Sequence, residues 1–197
     1  MRKLIFATQN KNKALEINQL LQKEALGFEV IDALTIGITE DIPETGETLV
    51  ANALQKARYV YEKWGVDCFA DDTGLEIDAL NGEPGVYSAR YAGEARDSVK
   101  NMELVLEKLK DKNTRNAKFK TVIALILDGK EFLFEGEVEG QITKALSGKA
   151  GFGYDPIFMP DGYEITFAEM DAALKNSMSH RGRAVRKLIA YIVALVS

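Results

Sequence analysis

Apolar positions recur along this chain with two different periods. Leu4 to Ala7 is a short continuous apolar run, and beyond it Ala14, Ile17, Leu20 and Leu21 recur at helical spacing. A buried strand followed by an amphipathic helix is therefore predicted. The segment from Thr48 to Trp64 repeats the helical pattern through Val50, Ala53, Leu54, Ala57, Val60, Tyr61 and Trp64, and Gly65 stops it. Val66 to Ala70 then reads as a second short strand. A third helix is predicted from about Ser98 to Lys110, with Val99, Met102, Leu106 and Leu109 facing inward. After it, the apolar run Val122 to Leu127, the Asp128-Gly129 turn and the alternating KEFLFEGEVEG make a hairpin, which adds antiparallel strands. A last helix carries Val185, Leu188, Ile189, Ile192 and Leu195 on one face. The sum is an α/β fold with a mixed central sheet flanked by helices.

Length and composition narrow the setting. One domain over residues 1–197, in two lobes, is expected from the chain length. With 46% hydrophobic and 28% charged residues, the chain has the composition of a soluble protein able to bury a core. Lys and Arg number 25 against 30 Asp and Glu, for a formal charge of −5. That field repels a phosphate backbone and argues against nucleic-acid binding, so an anionic ligand needs a local cationic cluster or a metal. The single cysteine, Cys68, cannot form an internal disulfide, which fits a reducing cytoplasm. Leu4 to Ala7 is too short for a signal-peptide core and no run approaches membrane-spanning length, so no membrane partner is expected.

Four polar clusters interrupt the scaffold. The first is Thr8 to Lys13, at the join of the first strand and helix. A helix start leaves backbone N–H groups unpaired and carries partial positive charge, which attracts anions. Lys11 and Lys13 oppose that dipole unless an anion lies between them; an ordinary Asn cap followed by solvated lysines is the competing reading. Neither GxxxxGK[ST] nor GxGxxG occurs in the chain to decide it. The second is FADDTGLEID, in which Asp71 and Asp72 are placed just beyond the strand Val66 to Ala70, suited either to a hard cation or to a polar turn closed by Gly74. Neighbouring strand positions face opposite ways, so one of the two carboxylates enters a site. In the third, Glu40, Asp41, Glu44 and Glu47 precede the second helix, where acidic residues stabilise the dipole; a metal role requires a partner such as the Asp71-Asp72 pair.

The fourth cluster is split between SGKAGFGYDPIF and KNSMSHRGRA. Three glycines around Phe152 and Tyr154 suit either a flexible turn or a backbone that approaches a ligand closely, with aromatic faces for a base. His180 and Arg181 stand at the predicted start of the last helix, where Arg181, Arg183, Arg186 and Lys187 also read as a solvated face. As His180 is the only histidine, a Cys/His zinc site is excluded. A Ser-His-Asp triad is disfavoured, because neither Ser177 nor Ser179 sits in a G-x-S-x-G elbow. Counting Lys175 and Arg181 with His180 favours a ligand contact over an exposed structural histidine.

Thr8, Asn10 and Lys13, followed by ADDTGLEIDALNGEPGVYSARYAG, GFGYDPIF, Lys175 and SHR, together resemble the inosine triphosphate pyrophosphatase family, the Ham1-like dITP/XTP pyrophosphatases, over essentially the whole chain. The resemblance implies hydrolysis of non-standard purine nucleoside triphosphates to monophosphate and pyrophosphate with Mg²⁺. It implies a two-lobed fold with an active-site cleft between the lobes and a homodimer. Carried over by position, it assigns phosphate binding to Thr8, Gln9, Asn10, Lys11, Asn12 and Lys13, catalysis to Asp72, and the magnesium site to Glu44 and Asp72. Thr73 would contact substrate, and Phe152, Gly153, Tyr154, Asp155, Lys175, His180 and Arg181 would surround base and sugar. Gln9, Thr73 and Ala150 depart from the glycine, serine and glycine usual there. Two rivals stay open: a Maf-like pyrophosphatase acting on pyrimidine triphosphates, which lacks GFGYDP and SHR, and a noncatalytic nucleotide sensor, against which Asp72 and Glu44 count.

Overall fold

The computed structural model describes residues 2–21, 28–40 and 42–196; Asp41 of the acidic cluster lies outside them. The chain divides into two compact units, Met1–Asp72 with Thr121–Gly136 and Arg181–Ser197, and Thr73–Lys120 with Glu137–His180. Its elements in order are strand β1 (Arg2–Phe6), helix α1 (Lys11–Leu21), β2 (Phe28–Asp32), α2 (Leu49–Trp64), β3 (Cys68–Ile77), β4 (Pro84–Gly85), α3 (Ser98–Lys108), β5 (Asn116–Leu127), β6 (Lys130–Ile142), β7 (Phe158–Pro160), α4 (Ala172–Met178) and α5 (His180–Val196). The sheet order is β2-β1-β3-β5-β6-β7, with β4 added on β3. β1 runs parallel to β2 and β3, whereas β4 pairs antiparallel with β3 and β7 with β6, so the sheet is mixed.

In the first unit, Leu4, Ile5 and Phe6 are all buried, as expected of a strand covered on both faces. Phe6 stacks on Phe69 of the neighbouring strand at 4.6 Å between ring centroids. Their core continues through Ile17 and Leu21 of α1 and Val185, Leu188, Ile189 and Ile192 of α5. Each such large side chain contributes about 1.5–3 kcal/mol on full burial. Leu195, predicted inward, is 51% exposed, because it lies past the last α5 residue that meets this core. Helix α2 is bounded as its sequence requires: the Thr48 hydroxyl accepts from Ala51 N, and Gly65 ends it with φ +62°. The β5-β6 hairpin closes on Asp128 and Gly129, both at positive φ as a two-residue type I′ turn demands.

In the second unit, Leu75, Ile77, Met102, Val105, Phe119, Phe158 and Phe167 form the core. Val99, predicted inward on α3, is 53% exposed. Asn101 takes that face, its Oδ1 accepting from Ala92 N at 2.7 Å and its Nδ2 donating to Ala89 O at 3.0 Å. The helix side that faces the protein thus anchors a loop as well as filling a core.

One boundary differs in a way that matters for the site. The strand predicted to end at Ala70 runs to Ile77, so Asp71 and Asp72 lie inside β3 and not beyond its end, and Gly74 is a buried strand residue instead of the close of a turn. Charged residues read as a strand end because an unpaired carboxylate is too costly to bury. Here both are paired by cations that the local sequence does not reveal. Among the described residues, no helix is long and apolar enough to cross a membrane.

Candidate active site

The first unit gathers most of the predicted polar residues. Asn10 caps α1, its Oδ1 accepting from Asn12 N at 3.0 Å and Lys13 N at 3.2 Å, while Thr8 Oγ1 accepts from Asn10 N. The cap reading is correct, but only in part. Lys11 and Asn12 are exposed, whereas the Lys13 side chain is turned inward, with Nζ 3.1 Å from Asp71 Oδ2. A lysine in the first helical turn is disfavoured by the dipole. The counter-charge is this chain's own Asp71.

Asp71 also lies 3.5 Å from Arg181 Nη2, and Arg181 Nη1 donates to Glu16 Oε2 of α1. Arg181 therefore belongs to the charge cluster at the start of α1, buried, and is not a solvated surface cation. Burial alone would push the Asp71 carboxyl up, but Lys13, Arg181 and Lys56 outweigh it and hold the pKa at about 2, below the ordinary 3.8. A depressed folded-state value stabilises the fold above the unfolded pKa, and the contribution is lost as pH falls from about 4 toward 2. Asp71→Asn lacks that group. Its melting temperature is expected to fall less than the parent's on acidification through this window, as read by circular dichroism; superposable pH profiles would contradict the assignment.

Asp72 has a different partner. Its Oδ1 lies 3.3 Å from Lys56 Nζ, and the same ammonium donates to Glu44 Oε1. Adjacent strand positions thus send two carboxylates to two lysines, as alternation predicts; both are buried in charged surroundings. Burial raises the Asp72 pKa, with Lys56 and Lys13 pulling the other way. For Lys56, burial is outweighed by Asp72 and Glu44, and its pKa rises.

Lys56 was not among the predicted residues, although a signal for it exists. Asn52 and Lys56, four apart, interrupt the buried stripe of α2 formed by Leu49, Ala53, Ala57 and Val60. Two polar residues on a core-facing stripe at helical spacing require buried partners. Gln9 also has a specific partner, its Nε2 donating to the Glu40 carbonyl at 2.5 Å.

The second unit holds Thr73 and the glycine-rich segment. Asp155 is buried, and its Oδ2 accepts from Phe152 N and from Lys175 Nζ, both at 2.7 Å. Gly151 makes room for it: at φ +75°, a Cβ there would stand 2.1 Å from Asp155 Oδ2. Gly153 also has positive φ, with open space where a Cβ would be. Lys175 Nζ lies over the Phe152 ring at 5.2 Å. Of the two aromatic faces expected for a base, Tyr154 is packed in the core and its hydroxyl donates to Ser88 O at 2.7 Å; Phe152 is half-buried. His180 is not exposed either. Its ring stacks on Phe119 at 4.5 Å with a 14° interplanar angle.

The donor set around Asp72 suits a divalent cation. Asp72 Oδ2 is buried and has no hydrogen-bond partner among the described residues, and Glu44 and Asp72 already converge on one positive charge, the Lys56 ammonium. Among the described residues, no group of three or more His, Cys, Asp and Glu side chains is arranged to hold an ion. Two hard carboxylate donors are nevertheless the protein share that Mg²⁺ takes when phosphates and water supply the rest.

Fold and site together define a class: mixed-sheet α/β proteins that, though acidic overall, gather buried lysines and carboxylates beside the start of a helix. Within that class, the chain belongs to the Ham1 family, whose model matches residues 4–191. It is 50% identical over 192 residues to the dITP/XTP pyrophosphatase of Flavobacterium johnsoniae, covering 98% of each chain. To the dITP/XTP pyrophosphatase of Bacillus subtilis it is 44% identical over 191 residues, covering 95% of this chain and 96% of that one. Among solved structures, a HAM1 protein from Coxiella burnetii matches with a TM-score of 0.90 at 39% identity, over 98% of this chain and 100% of that one. The Ham1 protein of Staphylococcus aureus matches at 0.88 and 35%, with the same coverage.

Proposed function

We propose that the protein hydrolyses inosine, deoxyinosine and xanthosine triphosphates at the α–β bridge, giving the nucleoside monophosphate and pyrophosphate. The observation that carries this reading is Asp72: a buried carboxylate with one oxygen that has no partner among the described residues, a raised proton affinity and two lysines nearby. The relatives' name, dITP/XTP pyrophosphatase, supports the substrate class.

In the first unit, Thr8, Gln9, Asn10, Lys11, Asn12 and Lys13 would form the phosphate-binding segment. The α1 backbone N–H groups and Lys11 and Lys13 would meet the negative charge of the tail. Glu44 and Asp72 would hold Mg²⁺, which when bound supplies the positive charge that neutralises phosphate oxygens. Asp72 would take a proton from the attacking water as the water oxygen bonds to phosphorus and the bridging P–O bond breaks, releasing pyrophosphate. An aspartate at its ordinary pKa near 3.9 is a weak base at neutral pH, and burial moves Asp72 in the useful direction.

Thr73 would contact substrate, and Phe152, Gly153, Tyr154, Asp155, Lys175 and His180 in the second unit, with Arg181, would surround base and sugar. A 6-oxo group accepts hydrogen bonds where adenine's 6-amino group donates them. Lys175, whose ammonium stands beside Asp155 and the Phe152 ring, is the donor we assign. Arg181 is engaged by Glu16 and Asp71, which suits it to a supporting part.

The same reading has the protein acting on free nucleotides in the cytoplasm as a homodimer, an assembly that sedimentation velocity measures. The decisive assay is turnover of inosine, xanthosine, deoxyinosine, adenosine, guanosine, uridine and deoxythymidine triphosphates with and without Mg²⁺, scoring pyrophosphate against single phosphate. Pyrophosphate from the inosine, deoxyinosine and xanthosine forms, dependent on Mg²⁺, is expected. A preference for pyrimidines, or binding without release, would replace this reading with the Maf-like or sensor one.

A further inference from the structure

The segment that carries Glu44 is fastened along α2 by a series of polar contacts that run in opposite directions on the two partners. Gly46 N donates to Asn52 Oδ1 at 2.7 Å, and Thr45 exchanges two hydrogen bonds with Gln55. Glu44 then meets Lys56, and Glu40 meets Tyr59 and Lys63 through its Oε1. Asn52, Gln55, Lys56, Tyr59 and Lys63 follow helical spacing, so one polar face of α2 acts as a rail. The approach is close at its carboxyl end, where a Cβ on Gly46 would stand 2.7 Å from the Ala51 Cβ. Glu44 therefore lies between two anchors, one at Thr45 and Gly46 and the other at Glu40.

The Glu40 anchor reaches a second element. Gln9, in the turn between β1 and α1, gives its side-chain amide to the Glu40 carbonyl. This contact comes in addition to the place of Gln9 in the proposed phosphate-binding segment. Through it, the acidic segment is tied to the turn that leads into α1 as well as to α2.

We propose that Gln9, Glu40, Tyr59 and Lys63 are positioning residues that set Glu44 against Asp72, so that the carboxylate pair is spaced for a divalent cation in register with the Thr8 to Lys13 turn. The proposal rests on the metal assignment of Glu44 and Asp72 made above. Groups that hydrogen-bond a metal-binding carboxylate fix its orientation, and their loss costs about 10–100-fold in metal affinity; the four residues act one step further out, through the backbone of the Glu40 to Gly46 segment, so the low end of that range applies. None of the four needs to touch the ion or the nucleotide to do this.

The test is Mn²⁺ binding to the nucleotide-free protein, followed by electron paramagnetic resonance of the free ion. Gln9→Ala and Lys63→Met should each weaken binding by about 10-fold, with Lys63→Arg restoring it. In turnover assays, the same two variants should raise the Mg²⁺ requirement more than they lower kcat. Combined with Glu44→Gln, neither should weaken binding further, since the effect passes through Glu44. Lys63 is half-exposed on α2, so Lys63→Met keeps the test valid if Gln9→Ala folds poorly. Should Glu44→Gln weaken Mn²⁺ binding while Gln9→Ala and Lys63→Met bind like the parent, the positioning role is refuted and the metal assignment stands. Should Glu44→Gln itself bind like the parent, the metal assignment has failed first.

Discussion

Asp72→Asn is expected to lower kcat/KM for inosine triphosphate by about 10³-fold or more while leaving the fold in place. A positioned general base contributes about 10²–10⁴-fold, and the amide that replaces it can neither take the proton nor hold a cation as a carboxylate does. The shape of the side chain is kept. Lys56 also keeps Glu44, so the variant avoids the isolated buried ammonium that makes breaking a buried pair cost about 3–5 kcal/mol. A smaller loss of stability is therefore expected, checked by thermal melting beside the kinetics. Asp71→Asn is the informative neighbour, one residue earlier on β3 and facing Lys13 and Arg181 instead of Lys56. It should retain more activity than Asp72→Asn and change the acid limb of stability. If Asp72→Asn stays within about 10-fold of the parent, below the range of a positioned base, Asp72 is not that base.

What the sequence discloses and what it conceals follow from the same physics. Strands and helices whose stripes are purely apolar are legible by period alone, as with Leu4 to Ala7 and the α5 face at Val185, Leu188 and Ile189. Periodicity fails where buried charge enters a regular element. A strand read from the sequence stops before Asp71 because its continuation depends on Lys13 and Arg181, which stand 58 and 110 positions from Asp71, and on Lys56, 16 positions from Asp72. Lys56 escapes a sequence reading for the matching reason: a lysine in a helix reads as surface until its carboxylate partners, here Glu44 and Asp72, are known. The individual positions of the site, by contrast, were supplied by whole-chain resemblance. Asn10 as a cap is deducible from its place before α1, but the side-chain partner of Gln9 is not, since its acceptor is a backbone carbonyl in a segment without periodicity.

Lys175→Met is expected to reduce the preference for inosine over adenosine triphosphate by about 10²-fold or more, measured as the ratio of their kcat/KM values. A site built around a hydrogen bond to the correct substrate can reject the wrong one by about 10⁴, and the variant removes the donor assigned to the 6-oxo group. It also removes the ammonium beside a carboxylate that is 3% exposed. Stripping a buried pair of one member costs about 3–5 kcal/mol, so a loss of stability should accompany the loss of selectivity. The two effects separate in the double variant Lys175→Met with Asp155→Asn. Neutralising Asp155 relieves the uncompensated charge, and the Asn oxygen can still accept from Phe152 N in the space that Gly151 leaves. Stability should partly return and selectivity should not. If selectivity returned with stability, Lys175 would be only a counter-ion that shapes the Gly151 to Asp155 turn, and recognition of the base would have to come from another donor.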